Sequence, residues 1–431
     1  MHLLMVSQYW TPDNGVPQRR WAWLSHILNE QGHALDVVTP GGRSMPSVKS
    51  FYSELFQPRD LINEHGPSGE RIFRTRGFRT SSSLTARIAN QAFVAVDSLF
   101  LACAVTRRAE EKPDILIATV PALPSAFVVF ALSRFFKLPY VIDLRDAWPE
   151  LLAFSNSWND AVGSRSIRER VLRLGPLQLM SFVTSRLVNR TLVKADGVIF
   201  TSEMHRQHFL KKCAGIQRVP RTAVIRNVFP PRTNYIKKYS YKNAIRPLRV
   251  LYAGTMGRAQ DLENILHAAR IASDSGFPIQ LRFVGAGAAK PQLKKLGEEL
   301  KVDIEFYDQA PADQLRMHYE WSDTAMVHLK GWLPLRLAIP SKTYELISSG
   351  IHVTAVGEGA LPALIRFLGA GDVVVPGDPL ELAKSWKKFA ETGKFRQPDQ
   401  AREWIQSERQ HAARQALFEI LGAVQGGKQD E

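Results

Sequence analysis

The stretch Ile339-Pro340-Ser341-Lys342-Thr343-Tyr344-Glu345-Leu346-Ile347-Ser348-Ser349-Gly350 decides how the chain is read. An apolar run, Thr324 to Leu329, precedes it and reads as a buried strand; a second, Ile351 to Val356, follows it. Ser341 is a residue type favoured at a helix N-cap and Gly350 one favoured just past a helix end, so a short helix is expected between the strands. Strand, loop, helix and strand make a βαβ unit, in which ligands gather where strands end and helices begin. Lys342 falls in the first helical turn, where a cation opposes the helix dipole. That placement makes physical sense when an anion sits there, held by free backbone N–H groups and the ammonium. Glu345, within a turn of it, can accept hydrogen bonds from a diol such as ribose. A capped surface helix with a solvated lysine and glutamate accounts for the same residues equally well.

A length of 431 residues, 45% hydrophobic and 23% charged, is globular and long enough for two or three domains. The net charge of +15 and pI near 9.8 fit a polyanionic partner: nucleic acid, an anionic membrane surface or a phosphorylated substrate. Cys103 and Cys213 supply neither a disulfide framework nor a metal set, which suits a reducing compartment. Met1 to Ser7 reads as a strand, without the basic leader of a secretory signal. The run Ile115 to Phe136 is broken by Pro121 and Pro124, and reads as strand, turn and buried helix rather than a membrane span.

Outward from the deciding stretch, the N-terminal half repeats the α/β pattern. Leu3 to Val6 is a strand, followed by a loop from Gln8 to Gln18 that contains Gly15. A helix from about Arg19 to Gln31 and a strand from Leu35 to Thr39 come next. Ile115 to Thr119 and Tyr140 to Leu144 are further strands. The second runs into Arg145-Asp146-Ala147-Trp148-Pro149-Glu150, which puts three charged side chains at a strand end near the switch region of a doubly wound sheet. A helix-capping Asp146 with a chance Glu150 is the plainer alternative. Leu84, Ile88, Ala92, Val96, Leu99 and Cys103 form one helical stripe, widened by Phe93, Phe100 and Leu101. A stripe this broad is either deeply packed or meets a membrane, and core packing is the expectation. Gly41 to Ser83 reads as a polar loop. Arg71, Arg74, Arg76 and Arg79 interleave there with Phe73 and Phe78, as in a nucleic-acid or lipid-headgroup surface or a solvated strand edge. Arg165 to Lys194 reads as a basic, Leu-rich helical region, another candidate lipid-facing surface. Pro230, Pro231, Lys237, Lys238 and Lys242 read as an exposed linker.

In the second half, strand Arg249 to Ala253 meets Gly254-Thr255-Met256-Gly257-Arg258. The glycines let backbone approach a phosphate, and Arg258 can pair with it bidentately. Strand Leu281 to Val284 meets Gly285-Ala286-Gly287, half of a dinucleotide fingerprint. Lys290 stands at the third glycine position, which argues against a nicotinamide cofactor. The expected architecture is α/β, with two Rossmann-like domains whose strand ends face each other across a cleft. The boundaries are residues 1–229, a linker at 230–247, a domain at 248–400, and C-terminal helices at 401–431 packing back toward the N-terminal domain.

Taken in order, Gly254 to Gln260, Phe283 to Gly287, Ile339 to Lys342, Glu345 to Gly350 and Val375-Pro376-Gly377-Asp378-Pro379 resemble glycosyltransferase family 4. The likeness is to the branch of fucosaminyltransferase-like enzymes of O-antigen and colanic-acid clusters. Arg145 to Glu150 and the opening Ser7-Gln8-Tyr9-Trp10 fit that branch as well. The resemblance implies a GT-B fold and a retaining transfer from a nucleotide-sugar, with a UDP-sugar as co-substrate and no obligatory metal or other cofactor. The lack of an Asp-x-Asp motif agrees. By position, Glu345 matches the family glutamate that binds ribose, Arg258 the arginine that binds diphosphate, and Gly15 the glycine of the N-terminal loop. Three positions depart: the earlier glutamate falls on Leu337, the usual lysine on Glu263, and the N-domain histidine on Arg145. Lys342, together with Arg336, is then expected to supply the missing cation, while Arg145 binds charge.

The candidate catalytic residues are accordingly Arg258, Lys342 and Asp146. Gly15, Gly254, Thr255, Gly257, Arg258, Gly285, Ser341, Lys342 and Glu345 are the expected donor site; Arg145, Asp146 and Glu150 are the expected acceptor site. The expected partners are a nucleotide-sugar, a polyprenyl-diphosphate-linked or saccharide acceptor and an anionic membrane surface, but no nucleic acid. The expected location is cytoplasmic, peripheral on the inner face of the cell membrane. A sugar-nucleotide epimerase on the same fold and a non-catalytic nucleotide- or polysaccharide-binding protein are the alternatives.

Overall fold

The computed structural model describes residues 1–13, 15–41, 63–78, 84–157, 176–238, 241–242, 246–257, 259–392 and 394–427. The chain divides into two compact units. The first comprises Met1–Pro149, Val183–Phe229 and the residues from His411; the second comprises Glu150–Phe182 and Pro230–Gln410.

The first unit is built on β1 (His2–Val6), β2 (Ala34–Pro40), β3 (Asn63–His65), β4 (Arg71–Thr75), β5 (Ile115–Val120), β6 (Tyr140–Leu144), β7 (Gly197–Phe200) and β8 (Arg221–Val224). Among the described residues they form one sheet in the order β3-β4-β2-β1-β5-β6-β7-β8. Every pairing is parallel except β3 with β4. Strands β1, β5 and β6 are buried along their whole length, as apolar strands covered on both faces should be. One face, with Leu4, Val6, Ala118 and Ile142, packs against α2 (Leu84–Arg108), α3 (Leu123–Phe136), α4 (Pro176–Val193) and α5 (Glu203–Lys212). The other receives α1 (Val16–Glu30) and the final helix, Ala413–Gly426, whose Ile420 side chain lies 3.1 Å from where a Cβ at Gly197 would be.

Three expectations change here. Helix α1 begins at Val16 rather than Arg19, with proline in its first turn, where the missing N–H costs nothing. The stripe expected to bury α2 turns partly outward: Val94, Leu101, Ala102 and Val105 are buried, whereas Val96 is exposed. Both faces of the helix are apolar, so spacing alone does not choose between them. Finally, Arg71 and Arg74 do not form a basic patch. They pair with Asp36 at 2.6 Å and Glu64 at 2.8 Å as part of β4. Arg79 and residues 158–175 lie outside the described residues.

The second unit is built on β10 (Leu248–Ala253), β11 (Ile279–Val284), β12 (Ile304–Tyr307), β13 (Thr324–His328), β14 (His352–Val356) and β15 (Gly371–Val374), after a short β9 (Tyr241–Lys242). Their order is β12-β11-β10-β13-β14-β15, the doubly wound arrangement, with its switch point between β10 and β13. In the first unit the corresponding reversal lies between β1 and β5. Helix α6 (Glu263–Asp274) buries the expected stripe, Ile265, Leu266 and Ala269, on the same core as Trp386. Helices α7 (Lys290–Glu299), α8 (Ala312–Trp321), α9 (Ser341–Ser348), α10 (Ala360–Leu368), α11 (Pro379–Glu391) and α12 (Asp399–Ser407) complete the layers.

The segment expected to be an exposed linker is packed where it is described. The Arg232 N–H donates to Glu345 Oε1 at 3.1 Å, and the Lys237 N–H to Ser349 O at 2.8 Å. The Lys237 ammonium donates to the carbonyls of Tyr319 and Glu320 at 3.0 Å each, and also to that of Ser322. These carbonyls stand at the C-terminus of α8, where the helix runs out of its own N–H donors and the dipole draws a cation. Burial pulls the Lys237 pKa down to about 8. At the far end the break between units falls between Gln410 and His411 rather than at 400, because α12 buries Ala401 and Ile405 within the second unit.

Candidate functional site

The loops after β10 and β11 lie backbone to backbone. The Gly254 N–H donates to Val284 O at 2.9 Å and the Met256 N–H to Ala286 O at 2.9 Å. Both Gly254 and Gly285 have φ of +147°, and a Cβ on Gly285 would fall 2.0 Å from Gly254 O. Only glycine permits this contact. It leaves a side-chain-free floor at the C-terminal end of the sheet, bordered by Thr255 and Gly257. Tyr252, the last but one residue of β10, is buried beneath, and its hydroxyl donates to Thr255 O at 2.6 Å.

Helix α9 presents its N-terminus to this floor. Its cap is Pro340, with φ −59° and ψ 137°, and not Ser341, which is the first helical residue. Pro340 has no N–H to satisfy, its φ is already fixed, and its carbonyl accepts the Thr343 N–H at 3.0 Å. Lys342 therefore stands second in the helix. Its ammonium lies 3.9 Å from the centroid of the Tyr252 ring. It also lies 2.5 Å from where a Cβ on Gly254 would be. Among the described residues it makes no hydrogen bond or ion pair, and burial pulls its pKa down to about 7. A solvated lysine does not look like this. A cation held at a helix N-terminus against an aromatic face, without a counter-charge, is arranged to receive an anion.

Other residues are placed around it. Glu345 is held by the Arg232 N–H on the same helix one turn from Lys342. His328, ending β13, is buried and paired with Asn264 at 2.9 Å; burial, then Lys330 and Lys342, hold its pKa down to about 3, so it is neutral. Neither Tyr252 nor His328 was expected. The signal for Tyr252 was a polar aromatic in an apolar strand, two residues before the glycine. Arg336, expected to assist Lys342, instead pairs with Glu358 at 2.6 Å. Leu337 is buried, and Glu263 accepts from Gln292 at 2.8 Å. Arg258 lies outside the described residues.

In the first unit Gly15 caps α1, its N–H donating to Gln18 Oε1 at 3.1 Å. Arg145 is buried at the end of β6, its Nε donating to Val120 O at 3.1 Å. Burial lowers its pKa, opposed by Asp143 and Asp146. Asp146 follows it. Its carboxylate makes no hydrogen bond or ion pair among the described residues, and burial raises its pKa above the usual carboxylate value against the pull of Arg145. Burial also raises the pKa of Tyr9, again opposed by Arg145. Glu150 opens a 3₁₀ helix, Glu150–Ser157, that clusters with the second unit. Behind this group lies an ion pair that no local pattern announces: Arg20 and Asp143, both fully buried, at 2.8 Å. Trp21 Nε1 also donates to Asp143, at 2.8 Å. Among the described residues no group of three or more His, Cys, Asp or Glu could hold a metal ion.

Residues 15–227 match the family model described as the glycosyl transferase 4-like domain. That stretch is similar to a glycosyltransferase domain. No curated protein matches the sequence. Among solved structures, the chain is similar to a sucrose-phosphate synthase from Thermosynechococcus elongatus at 16% identity and a TM-score of 0.62, covering 100% of this chain and 98% of that one. It is similar to the apo form of the lipopolysaccharide outer core galactosyltransferase WaaB at 12% identity and a TM-score of 0.57, covering 98% and 99%. It is also similar to Anabaena Alr3699/HepE in complex with UDP-glucose, at 13% identity and a TM-score of 0.55, covering 100% and 99%. At such identities the likeness speaks for the fold, which is GT-B. Domain match and fold agree on an enzyme of the glycosyltransferase kind.

Proposed function

We propose that this glycosyltransferase moves a sugar from a UDP-sugar, with retention of configuration, to a lipid-linked or saccharide acceptor in the synthesis of a bacterial cell-surface polysaccharide, as the fucosaminyltransferase-like branch does. The observation that carries the reading is Lys342: an unpaired, half-buried cation at a helix N-terminus beside a glycine floor, with Glu345 one turn away. That spacing suits a diphosphate and a ribose. The UDP-glucose held by HepE and the lipopolysaccharide role of WaaB support the choice of donor and product class.

In the proposed reaction the bond between the anomeric carbon and the diphosphate oxygen breaks, and negative charge builds on the leaving diphosphate. Lys342, the first N–H groups of α9 and Arg258 stabilise that charge; one well-placed donor is worth about 3–4 kcal/mol. The acceptor hydroxyl attacks from the face the diphosphate leaves, and its proton passes to a diphosphate oxygen. Gly15 lines the donor approach in the first unit. Asp146 and Arg145 position the acceptor, with Glu150 at its edge. The charge-stabilising role falls to side chains and backbone, so the scheme calls for no metal. A polyprenyl-diphosphate acceptor brings an anionic headgroup at the inner face of the cell membrane, where a chain of net charge +15 is held peripherally.

Incubation with a panel of UDP-, GDP- and ADP-sugars and a polyprenyl-diphosphate saccharide, with mass and NMR analysis of the products, tests the proposal. The expected product is the acceptor extended by one hexose or N-acetylhexosamine of retained configuration, from a UDP donor. An epimerised donor with no transfer, or no turnover of any donor, would overturn it.

A further inference from the structure

The second unit contains a cavity that the nucleotide reading does not use. Its walls include Lys237, Lys238, Gly350, Arg396, Gln397 and Arg402, and its volume is about 240 Å³. Every residue lining it belongs to the second unit. It adjoins a wider space of about 530 Å³ lined by Thr233, Asn234 and Gln406, with Glu403 and Arg409 as opposite charges. The two share Ile236, Asp399 and Arg402. Gly350 follows the end of α9, whereas Lys342 stands at its start. Eight helical residues separate the ends of α9 by about 12 Å, so the cavity and the Lys342 ammonium are at different places on the unit.

Gln397 is the unusual wall residue. It is 4% exposed, and neither its Oε1 nor its Nε2 has a hydrogen-bond partner. It sits between the strand Lys394–Phe395 and Pro398, the cap of α12. An apolar side chain of similar length would fill that place without burying an unpaired amide, which costs free energy. A ligand hydroxyl repays the cost, because it both donates and accepts. The charges beside Gln397 favour an anion. Arg396 and Arg402 both pair with Asp399, the first at 2.8 Å, so one carboxylate answers two guanidinium groups. The exposed Lys238 adds a further positive charge, while the Lys237 ammonium is already held by the carbonyls at the end of α8. Two positive charges therefore remain on the wall, the balance a phosphate monoester meets.

We propose that this cavity is a second ligand site, for a sugar phosphate. The phosphate lies among Lys238, Arg396 and Arg402, a sugar hydroxyl pairs with the Gln397 amide, and the rest of the sugar extends toward Thr233 and Asn234. Calorimetric titration of the full chain with glucose 1-phosphate, glucose 6-phosphate, inorganic phosphate and glucose tests it, in the wild type and in Gln397→Leu, Lys238→Glu and Lys342→Ala. The wild type is expected to bind a sugar phosphate at least about tenfold more tightly than phosphate or glucose alone. Gln397→Leu is expected to lose at least about tenfold in that affinity while melting no lower than the wild type, since it removes an unpaired amide. Lys238→Glu, a change at an exposed residue, is expected to weaken the same binding, and Lys342→Ala to leave it unchanged. Binding of neither sugar phosphate would overturn the site. Phosphate bound as tightly as the sugar phosphates, with Gln397→Leu unaffected, would mark an adventitious ion only and overturn it as well. Binding abolished by Lys342→Ala would assign the ligand to the nucleotide site instead, and loss of UDP binding with sugar-phosphate binding intact would sink the donor reading alone.

Discussion

The Lys342 ammonium rests on the Tyr252 ring with a pKa near 7, against 10.5 for an ordinary lysine. Between those values the folded protein binds fewer protons than the unfolded chain, so its stability rises as pH climbs from 7 toward 10.5. Replacing the ammonium by an uncharged chain of similar length removes the strain. Lys342→Met is therefore expected to melt higher at pH 7, by about 2–4 °C for each kcal/mol recovered, the gain fading at alkaline pH. Thermal melts across that range check the sign; a variant that melts lower at neutral pH would mean the charge is already satisfied. The same group makes binding pH-dependent. A diphosphate raises its pKa, so binding takes up a proton above pH 7, and UDP affinity should fall about tenfold per pH unit until the pKa of the complex is reached. Titrations in buffers of different ionisation enthalpy read that proton directly. Lys342 was legible in the sequence because a cation in a first helical turn conflicts with the dipole. Tyr252 was not, because the ring and the ammonium meet only when β10 and α9 come together.

Helix α9 shows what element boundaries owe to neighbours. Its end was readable: Gly350 has φ +70°, and the N–H groups of Gly350 and Ile351 donate to Ile347 O at 3.0 Å and Leu346 O at 3.1 Å. A Cβ at 350 would meet the Lys237 carbonyl at 2.5 Å. Gly350→Ala should therefore cost about 1–2 kcal/mol from backbone conformation alone, and more from displacing that carbonyl, as denaturant unfolding would show. Its start was misread by one residue, since Pro340 takes the capping place that Ser341 is chemically suited to fill. Residues 230–238 were misread for a related reason: prolines and lysines look like linker composition, but the C-terminal carbonyls of α8 that capture Lys237 lie far away in sequence.

On the scale of the whole molecule, two doubly wound sheets were legible because strand, glycine loop and helix recur in order in both halves. The interior ion pair of the first unit was not, since Arg20 and Asp143 are separated by 123 positions. It joins α1 to β6 and, through Arg20, to the Ile225 carbonyl at 2.8 Å. Arg20→Met leaves a buried carboxylate without its cation and should cost about 3–5 kcal/mol; Arg20→Met with Asp143→Leu should recover most of that. The proposed nucleotide site takes its cation and glycine floor from the second unit, so UDP affinity should survive both changes at temperatures where the protein stays folded, which calorimetry can verify.

The most direct test of the donor site is calorimetric titration of UDP, GDP and ADP into the wild type, Lys342→Ala and Glu345→Ala. The account predicts selective binding of UDP, lost in the first variant and at least about tenfold weaker in the second. Binding of none of the three nucleotides, or UDP binding unchanged in both variants, would contradict it.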